Sequence, residues 1–170
     1  MISKANTMIN LNCYSYYEFN NLCEEREYSD KNIPEDIAFI SICNTHDCQV
    51  YYMEEEFEHY FKEPHPNVIN LDFDDISEDK IFWEGHTFYG IQIPQARELF
   101  QFIEKNIGKE IWVHCHAGHS RSQAVVQFIL DCYPEYNYQV RQDNPPLTPN
   151  IDVLSKLKRV WREEKFKTRI

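Results

Sequence analysis

The stretch Ile37-Ala-Phe-Ile-Ser-Ile-Cys43 constrains the fold more than any other. It is apolar on both of its alternating faces, rich in β-branched and aromatic side chains, and bounded by Pro34 before it and Asn44-Thr45-His46-Asp47 after it. A short strand that is apolar on both faces needs cover from both sides, which is the situation of a central strand in a parallel sheet. Helices elsewhere in the chain have to supply that cover.

Residues 7–13 alternate as a short strand, and Ser15 is placed to cap a helix running from Tyr16 to about Arg26. Residues 54–61 read as a helix closed by Pro64-His65-Pro66, and residues 68–73 extend again. A polar, acidic loop covers 74–80, followed by the aromatic residues Phe82, Trp83, Phe88 and Tyr89, to which no element is assigned. Pro94 suits the first turn of a helix carrying Ala96, Leu99, Phe100, Ile103 and Ile107 at helical spacing, with Gly108 as its stop. Ile111-Trp-Val-His114 is a strand, 115–121 a turn, and 122–132 a helix with Val125, Val126, Ile129 and Leu130 inward. Residues 140–149 form a Pro-rich connection, and Asn150 is placed to cap a last helix bearing Val153, Leu154, Leu157, Val160 and Trp161. Alternating strands and helices predict an α/β fold: one domain over 1–170, with a central, mostly parallel sheet flanked by helices.

A net charge of -11 repels polyanionic backbones and argues against nucleic-acid or anionic-membrane partners, so any phosphate site has to be a local positive pocket. The apolar runs fall short of a bilayer span, and the first ten residues lack the apolar block of a secretion signal, which predicts a cytoplasmic protein. Cysteines at 13, 23, 43, 48, 115 and 132 contain no Cys-x-x-Cys pair, so reduced thiols are expected and no zinc ribbon. The sequence leaves the oligomeric state open.

The chemistry gathers in His114-Cys-His-Ala-Gly-His-Ser-Arg-Ser122. If Cys115 ends a strand and Arg121 begins a helix, the intervening backbone N–H groups can curl into one concavity that binds an anion. The same setting favours a cysteine thiolate, which makes Cys115 a candidate nucleophile at neutral pH. Arg121 offers a planar fork for two phosphate oxygens. Gly118 allows backbone angles closed to other residues, and the Ser122 hydroxyl can donate to the departing sulfur. His116, Ala117, His119 and Ser120 complete the phosphate-binding loop. The spacing of His114, His116 and His119 around such a loop is not a tetrahedral ligand pattern, so no metal or other cofactor is expected.

This segment resembles the signature of the cysteine-based tyrosine and dual-specificity phosphatases, His-Cys-x-Ala-Gly-x-Ser-Arg-Ser/Thr, at every specified position. Asn144-Pro-Pro-Leu-Thr-Pro149-Asn150 is similar to the Pro-Asn segment that these enzymes place after the loop helix, where the asparagine helps to order the active site; a plain helix cap is the alternative for Asn150. The resemblance implies a compact, dual-specificity-like enzyme that hydrolyses phosphate monoesters of phosphorylated proteins through a cysteinyl-phosphate. It also implies an aspartic acid upstream that protonates the leaving oxygen. Asp75 in Phe73-Asp74-Asp75-Ile76 matches that position best, with Asp74 and Asp79 as alternatives. A phosphoinositide substrate, with His116 and His119 as the basic loop positions, a silent phosphate-binding relative, and sulfur or arsenate chemistry on a related loop are the competing readings. Some relatives bring a second thiol toward the nucleophile from the end of the first buried strand, a place that Cys43 holds here.

Overall fold

The computed structural model describes residues 6–53, 57–142 and 149–168. Five parallel strands form the central sheet: β1 (Met8–Tyr14), β2 (Ile37–Cys43), β3 (Val68–Asp72), β6 (Glu110–His114) and β7 (Asn137–Gln142), in the order β3-β2-β6-β1-β7. The helices are α1 (Tyr16–Glu25), α2 (His46–Tyr51), α3 (Ile93–Asn106), α4 (Arg121–Cys132) and α5 (Ile151–Lys167). The α/β class, the single domain and the parallel sheet are thus as the sequence predicts.

All seven residues of β2 are buried, and its alternation sorts them between two layers. Ala38, Ile40 and Ile42 join the large core beneath α3, α4 and α5, where Leu99, Ile103, Val125, Ile129, Leu157 and Val160 are buried. Ile37 and Phe39 turn to the opposite face, against Phe19 of α1, Trp112 and Phe61. Edge-to-face ring pairs such as Phe39–Trp112, 5.5 Å apart, fill this thinner aromatic layer. Capping fixes where α1 begins: Ser15 accepts from the Glu18 N–H, and Glu18 accepts from the Ser15 N–H.

The chain leaves β2 toward β3 on one side and β6 toward β7 on the other, so the crevice between the carboxyl ends of the adjacent β2 and β6 lies where the connections diverge. Ligand sites of open α/β sheets fall in such a crevice.

Three parts of the chain differ from expectation. Residues 57–61 of the helix expected over 54–61 are not helical, and 54–56 lie outside the described residues. The helix of this region is α2, eight residues earlier, in the stretch read as the loop after β2. Side chains satisfy the backbone that helical bonds would otherwise have used: Gln49 accepts from the Phe57 N–H at 2.9 Å, and Asn70 donates to the Phe61 carbonyl at 2.7 Å. The unassigned aromatic stretch is an antiparallel hairpin, β4 (Lys80–Trp83) and β5 (His86–Tyr89), closed by Glu84 and Gly85 at φ of 47° and 82°. Both residues of a tight hairpin turn take positive φ, and a glutamate in the first place hides the usual Asn-Gly signal. Finally, β7 occupies the start of the expected connection over 140–149. As a largely exposed edge strand it lacks the apolar alternation by which strands are recognised.

Candidate active site

β6 ends at His114 and α4 begins at Arg121, so 115–120 form the expected strand-to-helix loop. Gly118 has φ +74°, and a Cβ there would stand 2.8 Å from the Tyr14 carbonyl carbon and 2.9 Å from the Ser15 nitrogen. Both the torsion and the close approach to the end of β1 require glycine. Gly118→Ala is expected to cost at least the ~1–2 kcal/mol of a left-handed non-glycine residue, because the loop must also move away from β1. Thermal denaturation measures that loss, and weakened binding of inorganic phosphate reports the displaced loop.

Cys115 is buried at the floor of the loop with its sulfur 3.1 Å from Ser122 Oγ. Burial alone would push its thiol up. The Arg121 guanidinium, the Ser122 hydroxyl and the backbone N–H groups of Ser122 and Ser120 together outweigh burial and hold the thiol below its ordinary range. The contrast with three other buried thiols is informative: burial pushes Cys13, Cys23 and Cys43 each up to about 12. At 115, unlike at these three, the surrounding charge reverses the effect of burial.

Arg121 is 3% exposed, and one terminal nitrogen donates to the Phe73 carbonyl at 2.6 Å. Its Nε is buried without a hydrogen-bond partner among the described residues, as is His119 Nδ1 on the same loop. An unpaired buried donor on a cation is costly, and an anion in the loop would relieve it. Ser122 is fully buried between two sulfurs, since Cys13 also donates to its Oγ at 3.1 Å. Sequence reasoning did not single out Cys13, whose β1 position gives no sign that it shares a partner with Cys115. The sulfur of Cys43, by contrast, contacts His59 Nδ1 at 3.5 Å.

The three candidate acids separate clearly. Asp75 is exposed and lines the cleft above Cys115, with Oδ1 accepting from Ser120 Oγ at 2.8 Å and from Asn150 Nδ2 at 2.7 Å. Both bonds fall on Oδ1, which leaves Oδ2 as the oxygen to carry a proton. Asp74 is buried and accepts from the Thr45 N–H, the Thr45 hydroxyl and the Tyr89 N–H, so it ties the end of β2 to the hairpin. Asp79 pairs with Lys156 at 2.5 Å and does not line the cleft. Asn150 caps α5, its Oδ1 accepting from the Val153 N–H, while its amide nitrogen donates to Asp75. Residues 144–148 of the Pro-Asn segment lie outside the described residues.

Besides the loop and Asp75, the cleft is lined by Asn44, Cys48, Tyr52, Ile76, Phe88 and Asp74, whose carboxylate is already taken up by Thr45 and Tyr89. Cys48 and Tyr52 come from α2 and its C-terminal cap and Phe88 from the hairpin, elements that the sequence pattern did not reveal. At about 220 Å³ the cleft is smaller than the ~300–1,000 Å³ of sites that engulf a drug-sized ligand, and it suits a phosphoryl group with part of its leaving group. His116 stands at its edge, its ring 4.8 Å from that of Phe57.

Among the described residues, one group of potential metal donors falls within 4.8 Å of one another, Cys43, His59 and Asp72, and none of its members belongs to the loop. No described helix is long and apolar enough to cross a membrane. A scan against protein-family models, a search of curated proteins and a search of solved structures each gave no match.

Proposed function

We propose that the chain is a cysteine-dependent phosphatase that hydrolyses phosphate monoesters on proteins, phosphotyrosine foremost, through a cysteinyl-phosphate. The observation that carries this reading is the reversal at Cys115: a thiol that burial should hold protonated is drawn toward the thiolate beside a buried arginine whose Nε is unpartnered. In this reading the phosphoryl oxygens take the loop N–H groups and the Arg121 fork, and the Cys115 sulfur attacks phosphorus. Asp75 Oδ2 gives its proton to the leaving oxygen and then, as base, takes one from the water that attacks the phosphocysteine. Ser122 donates to the sulfur as it departs. Tyr52, Ile76 and Phe88 offer apolar surface to a phenyl ring, and the thiols fit a reducing compartment such as the cytoplasm.

The direct test is turnover of p-nitrophenyl phosphate by the purified chain, followed by phosphotyrosine, phosphoserine and phosphoinositide substrates. Absence of turnover on all four, with phosphate still bound, would leave a phosphate-binding protein instead.

Asp75→Asn is expected to lower kcat by about 10²-fold, the lower end of what a positioned acid contributes, because Asp75 is exposed and water can replace it in part. The loss should shrink as the leaving group becomes more acidic. An equal loss for strongly and weakly acidic phenols would remove Asp75 from that role.

A further inference from the structure

A file of polar side chains leads from the backbone of Cys115 to the surface. His114 is fully buried, with Nδ1 3.2 Å from the Cys115 carbonyl oxygen and Nε2 2.6 Å from Ser41 Oγ. Ser41 Oγ in turn meets His59 Nδ1 at 2.7 Å, and His59 Nε2 meets Asp72 Oδ1 at 2.8 Å. Strand register builds this arrangement, since Ser41 lies beside His114 across β2 and β6 and Asp72 lies beside Cys43 across β3 and β2. His59 enters from the irregular stretch 57–61. The file begins at a side chain with no exposure and ends at a carboxylate that is 62% exposed.

Counting hydrogens decides what such a file can do. Each junction must hold one hydrogen, because two lone pairs at these distances repel. A carbonyl oxygen only accepts, so the contact with Cys115 calls for a hydrogen on His114 Nδ1. Burial pushes His114 down to about 3, so at neutral pH this ring carries a single proton and its Nε2 accepts from the Ser41 hydroxyl. Ser41 has no second hydrogen and accepts from His59 Nδ1–H. The Asp72 carboxylate also only accepts, so in this direction His59 carries both of its protons. With one proton fewer, the side chains stay bonded only if the whole file reverses. His59 Nε2–H then donates to Asp72, the Ser41 hydroxyl donates to His59 Nδ1, and His114 Nε2–H donates to Ser41. His114 Nδ1 becomes a bare lone pair facing the Cys115 carbonyl. The two directions differ by one proton, exchanged with water at the His59–Asp72 end.

We propose that Asp72, His59, Ser41 and His114 form a reversible hydrogen-bond wire that passes the protonation state of a surface histidine–carboxylate pair to the first peptide of the phosphate loop. Asp72, His59 and Ser41 are positioning residues for Cys115: protonation at the surface anchors the loop peptide, and deprotonation releases it. The consequence for catalysis rests on the phosphatase reading, whereas the wire itself does not.

The other groups around His59 leave this logic intact. Cys43, 3.5 Å from its Nδ1, is a thiol that burial pushes up to about 12 and so brings no charge. His46, Glu58 and Lys62 line the cleft onto which His59 opens, with Lys62 and Glu58 paired to each other. Arg121 acts on the buried end, where it further disfavours a charged His114. Cys43 and Asp72 address opposite nitrogens of the His59 ring, an arrangement that fits hydrogen bonding through both nitrogens and not ligation of one ion through either.

Long-range proton–nitrogen NMR of the full chain, from about pH 5.5 to about pH 8.5, reads the tautomer of each histidine directly. The expected result is that His114 passes from Nδ1–H to Nε2–H at the midpoint where His59 loses a proton, without becoming imidazolium itself. Asp72→Asn is the matched variant. Its amide can donate to His59 Nε2, which keeps the file running toward Cys115 around a neutral His59, so His114 should hold Nδ1–H throughout. A wild-type His114 that keeps one tautomer while His59 titrates overturns the wire, and so does an Asp72→Asn variant that switches as the wild type does. If the chain hydrolyses p-nitrophenyl phosphate, kcat/KM should fall about fivefold through the same midpoint in the wild type, the size of one net hydrogen bond, and not in Asp72→Asn. A step that survives in Asp72→Asn refutes the catalytic consequence. The two readings fail separately: a tautomer switch without hydrolysis sinks the phosphatase and leaves the wire, and hydrolysis without a switch does the reverse.

Discussion

Replacing Cys115 by serine is expected to lower turnover by on the order of 10⁵-fold or more while leaving phosphorylated substrate bound. The two halves of this outcome share one cause. The serine hydroxyl nearly matches the thiol in size and can keep the contact with Ser122 Oγ, so the loop N–H groups and Arg121 stay where they are. It does not ionise near neutral pH, so the nucleophile is gone. The same loss removes a negative charge from the floor of the site, and a phosphate dianion then meets one repulsion fewer. Binding of a phosphotyrosine peptide by calorimetry should therefore be as tight as in the wild type or tighter. Residual turnover within tenfold of wild type would place the nucleophile elsewhere. A joint loss of binding and turnover with the fold intact would mean that position 115 serves to shape the loop.

The parts of this molecule that were legible in the sequence are those written in apolar periodicity or in a single unbroken segment. The all-buried β2, the amphipathic α3 and α5 and the strand–loop–helix around Cys115 depend on neighbours in sequence, and the structure places them as expected. The loop's glycine was readable because one local torsion demands it. The choice among Asp74, Asp75 and Asp79 was not readable. All three sit in one acidic stretch, and what separates them is distant in the chain: Thr45 and Tyr89 occupy Asp74, Ser120 and Asn150 hold Asp75 at the cleft, and Lys156 draws Asp79 away. The walls of the cleft that come from α2 and the hairpin were missed as well. The absence of a helix over 57–61 was equally hidden, because Gln49 and Asn70 side chains stand in there for backbone partners, a substitution that no local pattern announces. The Ser41–His59 junction likewise exists only through tertiary contact between β2 and an irregular segment.

Arg121→Lys is the substitution that separates charge from geometry. Three things depend on this side chain: the positive charge that favours the Cys115 thiolate, the anchor on the Phe73 carbonyl, and the buried Nε that has no partner among the described residues. A lysine keeps the first. Its ammonium is a point charge on a flexible stem, so it can take neither the anchor together with the phosphate nor two phosphoryl oxygens in one plane. Alkylation of Cys115 by iodoacetamide, followed at that peptide by mass spectrometry, should therefore still proceed well below the pH of an ordinary thiol. Turnover should fall by about 10³-fold, because the fork's contribution grows as the phosphoryl oxygens spread into the equatorial plane, and removal of a single preorganised donor already costs about 10²–10³ in other enzymes. If alkylation shifts to ordinary thiol pH together with the loss of turnover, the arginine acts through charge placement alone. If turnover survives, phosphate is held by the backbone N–H groups and the helix terminus, and the buried guanidinium is a strut between α4 and the end of β3.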